Sequence, residues 1–145
     1  MRLILQRVSS AAVRVGGETV GEIGRGVLVL AGVERGDGAG TVAAAADKLA
    51  GLRLFEDADG KMNLDAAAAG GGFLVVPQFT LMADLSRGRR PSFAAAAPPE
   101  VAAPLVAALA AELAGRGFPV ASGRFGAHMR VELVNDGPVT FVLDV

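Results

Sequence analysis

This chain has no cysteine, tryptophan or tyrosine in its 145 residues, and a single histidine, His128. Without cysteine there can be no disulfide and no thiolate metal site, and a reducing interior is the natural setting. One histidine cannot form a histidine cluster, so no metal site is expected. A Ser-His-Asp triad would have to use His128, and no Gly-x-Ser-x-Gly elbow supplies its nucleophile. His128 therefore reads as a surface or packing residue beside Met129. A strong charge of either sign is also missing: the net charge of −1 excludes a broad basic surface and confines any nucleic-acid contact to a local patch. No apolar run approaches the ~20 residues that cross a bilayer. The N-terminal stretch carries charges at Arg2 and Arg7 and lacks the apolar centre of a signal peptide, so a soluble, cytoplasmic protein without a membrane partner is expected.

Hydrophobic residues make up 52% of the chain and charged residues 20%, which excludes a disordered or collagen-like polymer. The length fits one domain over 1–145, with no visible linker or repeat. Residues 3–8, 11–15 and 18–23 read as strands, the last two paired across Gly16-Gly17, which suits a two-residue turn. Gly26 to Val33 is a more continuous apolar strand, expected at the centre of a sheet. Thr41 is a candidate N-cap for a helix with Val42, Ala45, Leu49 and Leu52 on its apolar face. A strand at 53–55 follows. Pro98-Pro99-Glu100 opens a second helix with a stripe of Val101, Leu105, Ala108, Leu109 and Leu113, stopped by Gly115. Strands are expected at 119–122, 129–134 and 139–145, the last two joined by a turn at Asn135-Asp136-Gly137-Pro138. The sum is an α/β domain of layered β/β/α type, with mixed sheets and two main helices. The alanine runs at 43–46, 66–69 and 94–97 reflect helix-forming bias and carry no functional signal.

The chemistry gathers around Phe73 to Leu81. Its first half is a buried strand between Gly70-Gly71-Gly72 and Pro77, and Pro77, lacking an N–H, should end it. Gln78, Phe79 and Thr80 then stand at the strand mouth as an amide, an aromatic face and a hydroxyl, a set that can bind a flat polar ligand; an ordinary strand end with satisfied backbone groups is the plainer alternative. Thr80 is the best hydroxyl nucleophile, yet no base is visible near it. The loop at 86–93 packs Arg87, Arg89 and Arg90 among Gly, Pro and Ser, offering guanidinium forks and backbone N–H groups to a phosphate or forming a solvated charged loop. The acidic turn Asp57-Ala58-Asp59-Gly60 lacks the glutamate that a calcium loop needs at its twelfth position, where Ala68 stands. Gly60-Lys61 lacks the rest of a P-loop.

Four motifs occur in order: Pro77-Gln78-Phe79-Thr80-Leu81, Arg90-Pro91-Ser92-Phe93, Gly123-Arg124-Phe125-Gly126-Ala127 and Asn135-Asp136-Gly137-Pro138-Val139-Thr140. Together with Gln6-Arg7-Val8 and Lys61-Met62-Asn63, they make the chain resemble the D-aminoacyl-tRNA deacylases over nearly its whole length. The resemblance implies a cofactor-free homodimer that hydrolyses the ester joining a D-amino acid, or glycine, to the 3′-terminal adenosine of tRNA. It places Gln78, Phe79 and Thr80 in the catalytic pocket, with the tRNA's own 2′-hydroxyl assisting. It makes Gly137-Pro138 a cis-proline motif that reaches into the partner subunit's pocket to exclude L side chains, held in place by Arg7, with Met129 also contacting substrate. Arg87, Arg89 and Arg90 become phosphate contacts for the acceptor end. The family usually has Ser before Gln-Phe-Thr, and Pro77 stands there instead, as in a related animal deacylase. That group lacks the phenylalanine kept here as Phe79, and Val139-Thr140 also favours the D-specific group. Two other classes remain: a non-catalytic nucleic-acid-binding module using the arginine loop, and a small-molecule esterase or amidase using Thr80.

Overall fold

A strand that is apolar on both faces must be covered on both sides. Two such strands form the centre of this protein, whose computed structural model describes residues 1–86 and 88–145. In chain order the elements are β1 (Arg2–Val15), β2 (Glu18–Ile23), β3 (Gly26–Gly32), α1 (Ala39–Gly51), β4 (Phe55–Glu56), β5 (Met62–Leu64), β6 (Gly72–Pro77), a 3-10 turn (Phe79–Met82), α2 (Pro99–Gly115), β7 (Val120–Ser122) and β8 (Arg130–Asp144). The main sheet runs β2-β1-β3-β6-β7, and β8 lines the other edge of β1. It is mixed: β3, β6 and β7 are parallel neighbours, whereas β1 is antiparallel to β2, β3 and β8.

Side chains alternate across the central strands, so each strand serves two cores. Val27 and Val29 of β3, with Phe73 and Val75 of β6, face the core shared with Val42, Ala45 and Leu49 of α1 and Leu109 and Leu113 of α2. Leu28, Leu74 and Val76 point the other way, against Val8, Ala11 and Val13 of β1, with Val20, Ile23, Val131 and Leu133 packed around them. The far half of β1, with β2 and β8, thus folds over the central strands as a second β layer, and the expected β/β/α order follows from this alternation. Among the described residues, no helix is long and apolar enough to cross a membrane.

Several elements differ from the sequence expectation. Residues 3–8 and 11–15 form one strand, β1, and the two closing strands form one strand, β8, paired along it. The segment 135–138 does not reverse the chain. Gln6 lies opposite Thr140 and Val8 opposite Asn135, so two steps on β1 match five on β8 and three extra residues bulge outward. Helix α1 begins ahead of Thr41, which instead accepts a 3.4 Å hydrogen bond from the Gly38 N–H. The strand expected at 53–55 is the short β4, hairpinned to β5 around Asp57, whose carboxylate accepts from the Asp59 and Lys61 N–H groups at 2.9 and 3.0 Å. The buried face of α2 is Ala102, Val106, Leu109 and Leu113, and Val101 is exposed.

The parallel contact of β3 and β6 depends on Gly26, where an added Cβ would collide with the Gly72 carbonyl oxygen. Gly24, two residues earlier, has open space around it. Gly26→Ala should therefore lower stability by about 1–3 kcal/mol or more, while Gly24→Ala should stay within about 0.5 kcal/mol, as read by denaturant unfolding.

Candidate active site

Pro77 ends β6, opposite Ala31 of β3, and the next N–H, that of Gln78, still donates to the Ala31 carbonyl at 2.8 Å. The chain then turns tightly: the Leu81 N–H donates to the Gln78 carbonyl at 3.2 Å and the Ala83 N–H to that of Thr80 at 3.1 Å. Phe79 and Thr80 thus belong to a 3-10 turn, not to an extended strand end. The turn sits so close to β3 that a Cβ on Gly32 would stand 2.9 Å from Leu81 Cβ, 3.0 Å from Met82 Cε and 3.1 Å from the Gln78 carbonyl oxygen. Gly32 is what lets it seat there. In front, the Gln78 amide donates to the Thr80 hydroxyl oxygen, which leaves the Thr80 O–H free to donate elsewhere.

This turn forms one wall of a cavity of about 590 Å³ that includes Pro77, Gln78, Phe79 and Met129. Ala97, Pro99 and Ala102, at the start of α2, form a second wall, and Phe125, Gly126, Ala127 and His128 a third. The third wall is a compact loop: the Gly123 N–H donates to the Val75 carbonyl at 2.9 Å, the Ala127 N–H to that of Arg124 at 3.2 Å, and the Arg124 N–H to the Met129 sulfur at 3.3 Å. Gly123 has no room for a side chain, since its Cβ would lie 2.8 Å from that sulfur. Sequence reasoning missed most of these walls. Alanine, glycine and proline advertise no chemistry, and the lone His128, read as a surface or packing residue, is exposed at the cavity lining. The placement of the 123–127 motif directly before Met129 was the available signal. Among the described lining residues His128 is the one titratable group, and no carboxylate is present.

The alanines at 94–97 also have a task. The Arg35 N–H donates to the Ala95 carbonyl at 2.9 Å, Arg35 Nε to that of Ala94 at 2.8 Å, and the Ala97 N–H to that of Val33 at 3.0 Å. These bonds clamp the segment to the chain leaving β3 and set Ala97 against the cavity. Just before it lies the arginine loop, closed at its base by paired backbone bonds between Asp84 and Ser92 of 2.8 and 3.1 Å. Hydrogen bonds from the Ser86 hydroxyl and N–H hold the Asp84 carboxyl below the usual carboxylate range. Arg89 and Arg90 are exposed on this loop, and the Arg87 position lies outside the described residues. The Phe93 ring meets the Phe79 ring edge-on, with centroids 5.0 Å apart and planes at 61°.

Arg7, Gly137 and Pro138 do not line the cavity of their own chain. Arg7 is buried, with 5% of its surface exposed, and each of its three guanidinium nitrogens has a partner. Nε donates to the Asp136 carbonyl at 2.9 Å and lies 3.2 Å from its carboxylate, Nη1 donates to the Leu54 carbonyl at 2.8 Å, and Nη2 reaches Glu56 at 3.4 Å. Asn135 completes the hold by donating to the carbonyls of Arg7 at 2.9 Å and Val139 at 3.1 Å. The product is an outward bulge with Gly137 and Pro138 exposed at its tip and a cis peptide bond between them. A lysine offers three donors on one atom and cannot span these acceptors. Arg7→Lys should therefore destabilise the protein by about 1–3 kcal/mol, leaving buried carbonyls short of a partner, and should raise hydrogen exchange at 135–139.

Three kinds of relative set this geometry in context. The family model for D-Tyr-tRNA(Tyr) deacylase matches residues 4–144. A D-aminoacyl-tRNA deacylase from Chloroflexus aurantiacus is 58% identical over 144 residues, 99% of this chain and 90% of the relative. One from Anaeromyxobacter dehalogenans is 57% identical over 99% of this chain and 97% of its own. Among solved structures, the c-Myc DNA unwinding element binding protein superposes with a TM-score of 0.93 at 36% identity, covering 100% of this chain and 99% of that one. A probable eukaryotic D-amino acid tRNA deacylase gives 0.83 at 20% identity over 99% and 98%, a likeness of fold alone.

Proposed function

The chain belongs to the D-Tyr-tRNA(Tyr) deacylase family, and from that premise we propose that it hydrolyses the ester of D-aminoacyl-tRNA, and of tRNA carrying glycine in place of its cognate residue, while sparing L-aminoacyl-tRNA. One observation carries the reading: the cavity beside Gln78-Phe79-Thr80 is apolar enough to take a base and its ester, and no carboxylate is among its described lining residues. The substrate itself is the assisting group in this reading. The 2′-hydroxyl of the terminal adenosine, adjacent to the ester, orients the attacking water. Water adds to the ester carbonyl carbon, the bond to the 3′ oxygen breaks and that oxygen takes a proton, releasing amino acid and tRNA. Gln78 and Thr80 bind and orient the ester, Phe79 packs against it, and Met129 closes the pocket; no metal or cofactor is assigned.

The chirality filter is assigned to Gly137 and Pro138 of a second copy. On one chain, Met129 and Gly137 are eight residues apart along an extended strand, on the order of 20 Å, so a single copy does not bring both to one ligand. The bulge tip is exposed, and β8 pairs only with β1 among the described strands. Val134, Phe141 and Val142 expose 58%, 41% and 64% of their surface along β8. These features support a homodimer in which each bulge enters the partner's cavity and collides with an L side chain, with no contact needed to recognise a D one. Arg89 and Arg90, with Arg87 in the same loop, meet acceptor-end phosphates, and the cytoplasm, where charged tRNA is used, is the matching location.

The likeness to the c-Myc DNA unwinding element binding protein favours one second reading, a nucleic-acid-binding module. Incubation with paired D- and L-aminoacyl-tRNA separates the two, since a module binds without turnover. If Thr80 only positions the ester, Thr80→Ala should cost much less than the about 10⁶-fold that follows loss of a covalent nucleophile. A terminal 2′-deoxyadenosine should cost about 10²–10⁴-fold, and full activity on it would remove the 2′-hydroxyl from the mechanism.

A methyl at Gly137 would collide with the Val139 backbone nitrogen and stand 3.2 Å from the Asn135 side-chain oxygen, so the bulge tip must shift. Gly137→Ala, with the dimer confirmed by light scattering, should slow turnover of D-aminoacyl-tRNA by about 10²-fold, as for other displacements of a positioned group. Unchanged D turnover with unchanged rejection of L would place chirality elsewhere.

A further inference from the structure

Phe93 is not among the described residues lining the substrate cavity, yet it stands where two parts of the site meet. Behind it, Ala94 to Ala97 are pinned to residues 33–35. Before it, the Asp84–Ser92 backbone pair closes the loop that carries Arg89 and Arg90. Its ring lies edge-on to Phe79, which belongs to the turn that also holds Gln78 and Thr80. Both rings are solvent-accessible, Phe79 at 56% and Phe93 at 37%, so this contact is not part of the hydrophobic core. No described residue other than Phe93 forms an aromatic pair with Phe79. The loop base follows the hydrolytic turn directly in the chain, with the Ala83 N–H donating to the Thr80 carbonyl at 3.1 Å just before Asp84, and the returning arm of the loop meets the turn a second time where the Phe93 ring packs on Phe79.

We propose that Phe93 is a positioning residue that couples phosphate capture at the arginine loop to the setting of Phe79 in the pocket, an inference that rests on the deacylase reading above. Binding energy from the non-reacting part of a substrate raises turnover only when it is converted into orientation at the reacting centre, and truncated substrates then lose kcat as well as affinity. The acceptor-end phosphates are the non-reacting part here, and the Phe93–Phe79 contact is the converter. The structure of the pocket itself does not require it, since neither the cavity lining nor the Gln78–Thr80 hydrogen bond includes Phe93.

The experiment compares full D-aminoacyl-tRNA with 3′-(D-aminoacyl)adenosine, which keeps the ester and the 2′-hydroxyl and has no phosphates. Parent protein is assayed beside Phe93→Ala, Phe93→Leu and Phe93→Tyr, with thermal midpoints recorded for each. Hydrolysis of either ester by the parent reports on the deacylase reading by itself. For the coupling, Phe93→Ala and Phe93→Leu should lower kcat on the full tRNA about two- to tenfold, the fold-change that corresponds to an aromatic pair of about 0.5–1.5 kcal/mol. The kcat on the short ester should not move, and Phe93→Tyr should restore the tRNA value. Equal losses on both substrates would make Phe93 a plain support of the fold or pocket, and no loss on either would make the contact incidental; each result overturns the coupling.

Discussion

A guanidinium cannot leave water without acceptors, and Arg7 has left it almost entirely. Each nitrogen of its planar fork is answered by a different residue: Nε by Asp136 in the β8 bulge, Nη1 by Leu54 after α1, Nη2 by Glu56 in β4. The bulge is therefore not a loose loop that happens to protrude. It delivers the Asp136 carbonyl and carboxylate to a charge fixed within β1, and Asn135 ties the same bulge to the Arg7 carbonyl. The exposed Gly137-Pro138 tip inherits its position from a buried ion.

The opposite end of the domain is governed by space, not charge. Gly32 leaves a gap in β3 that the 3-10 turn fills, and Gly123 leaves another that the Met129 sulfur fills. Two absent side chains thus set the walls between which Gln78 and Phe79 stand. Such a site is rigid without a polar network, because its groups are held by backbone bonds and close packing. That suits a reaction in which the protein supplies orientation and the substrate supplies the assisting hydroxyl.

Much of this was legible in the residues. Pro77 ends β6 because an imino acid cannot continue a ladder, and the continuous apolar runs at 26–33 and 73–76 announced strands buried on both faces. What escaped had long-range causes. Asn135-Asp136-Gly137-Pro138 carries every local mark of a turn, and pairing with β1, about 130 positions away, keeps β8 running through it, with Arg7 and Asn135 pinning the bulge. The apolar face of α2 lies one register from its sequence expectation, because alanine-rich helices give nearly the same periodicity in adjacent registers, and Ala102 is inside where Val101 is expected. The cavity walls at Ala97, Ala102 and Gly126 hold no functional group, so composition could not reveal them. The family motifs marked the turn at 78–80 and the loop at 123–127 and were silent about the wall at the start of α2, where Ala97, Pro99 and Ala102 stand.

The pairing of β1 with β8 joins the earliest and latest parts of the chain, as the Arg2–Asp144 bridge shows at a separation of 142 residues. During synthesis β1 must wait, one edge open, until nearly every other residue has been added. Contacts of such sequence separation form slowly, and an open strand edge is a template for pairing with other chains. Arg7 meanwhile has no acceptor at Asp136, because that residue has yet to emerge. The nascent chain can assemble its helices and the parallel pair β3–β6 before β8 exists, and the 135–138 bulge takes its place only when β8 pairs with β1. A chain that ended before β8 would lack not only the bulge but also Val131, which lines the cavity, so the last residues synthesised complete both ends of the domain.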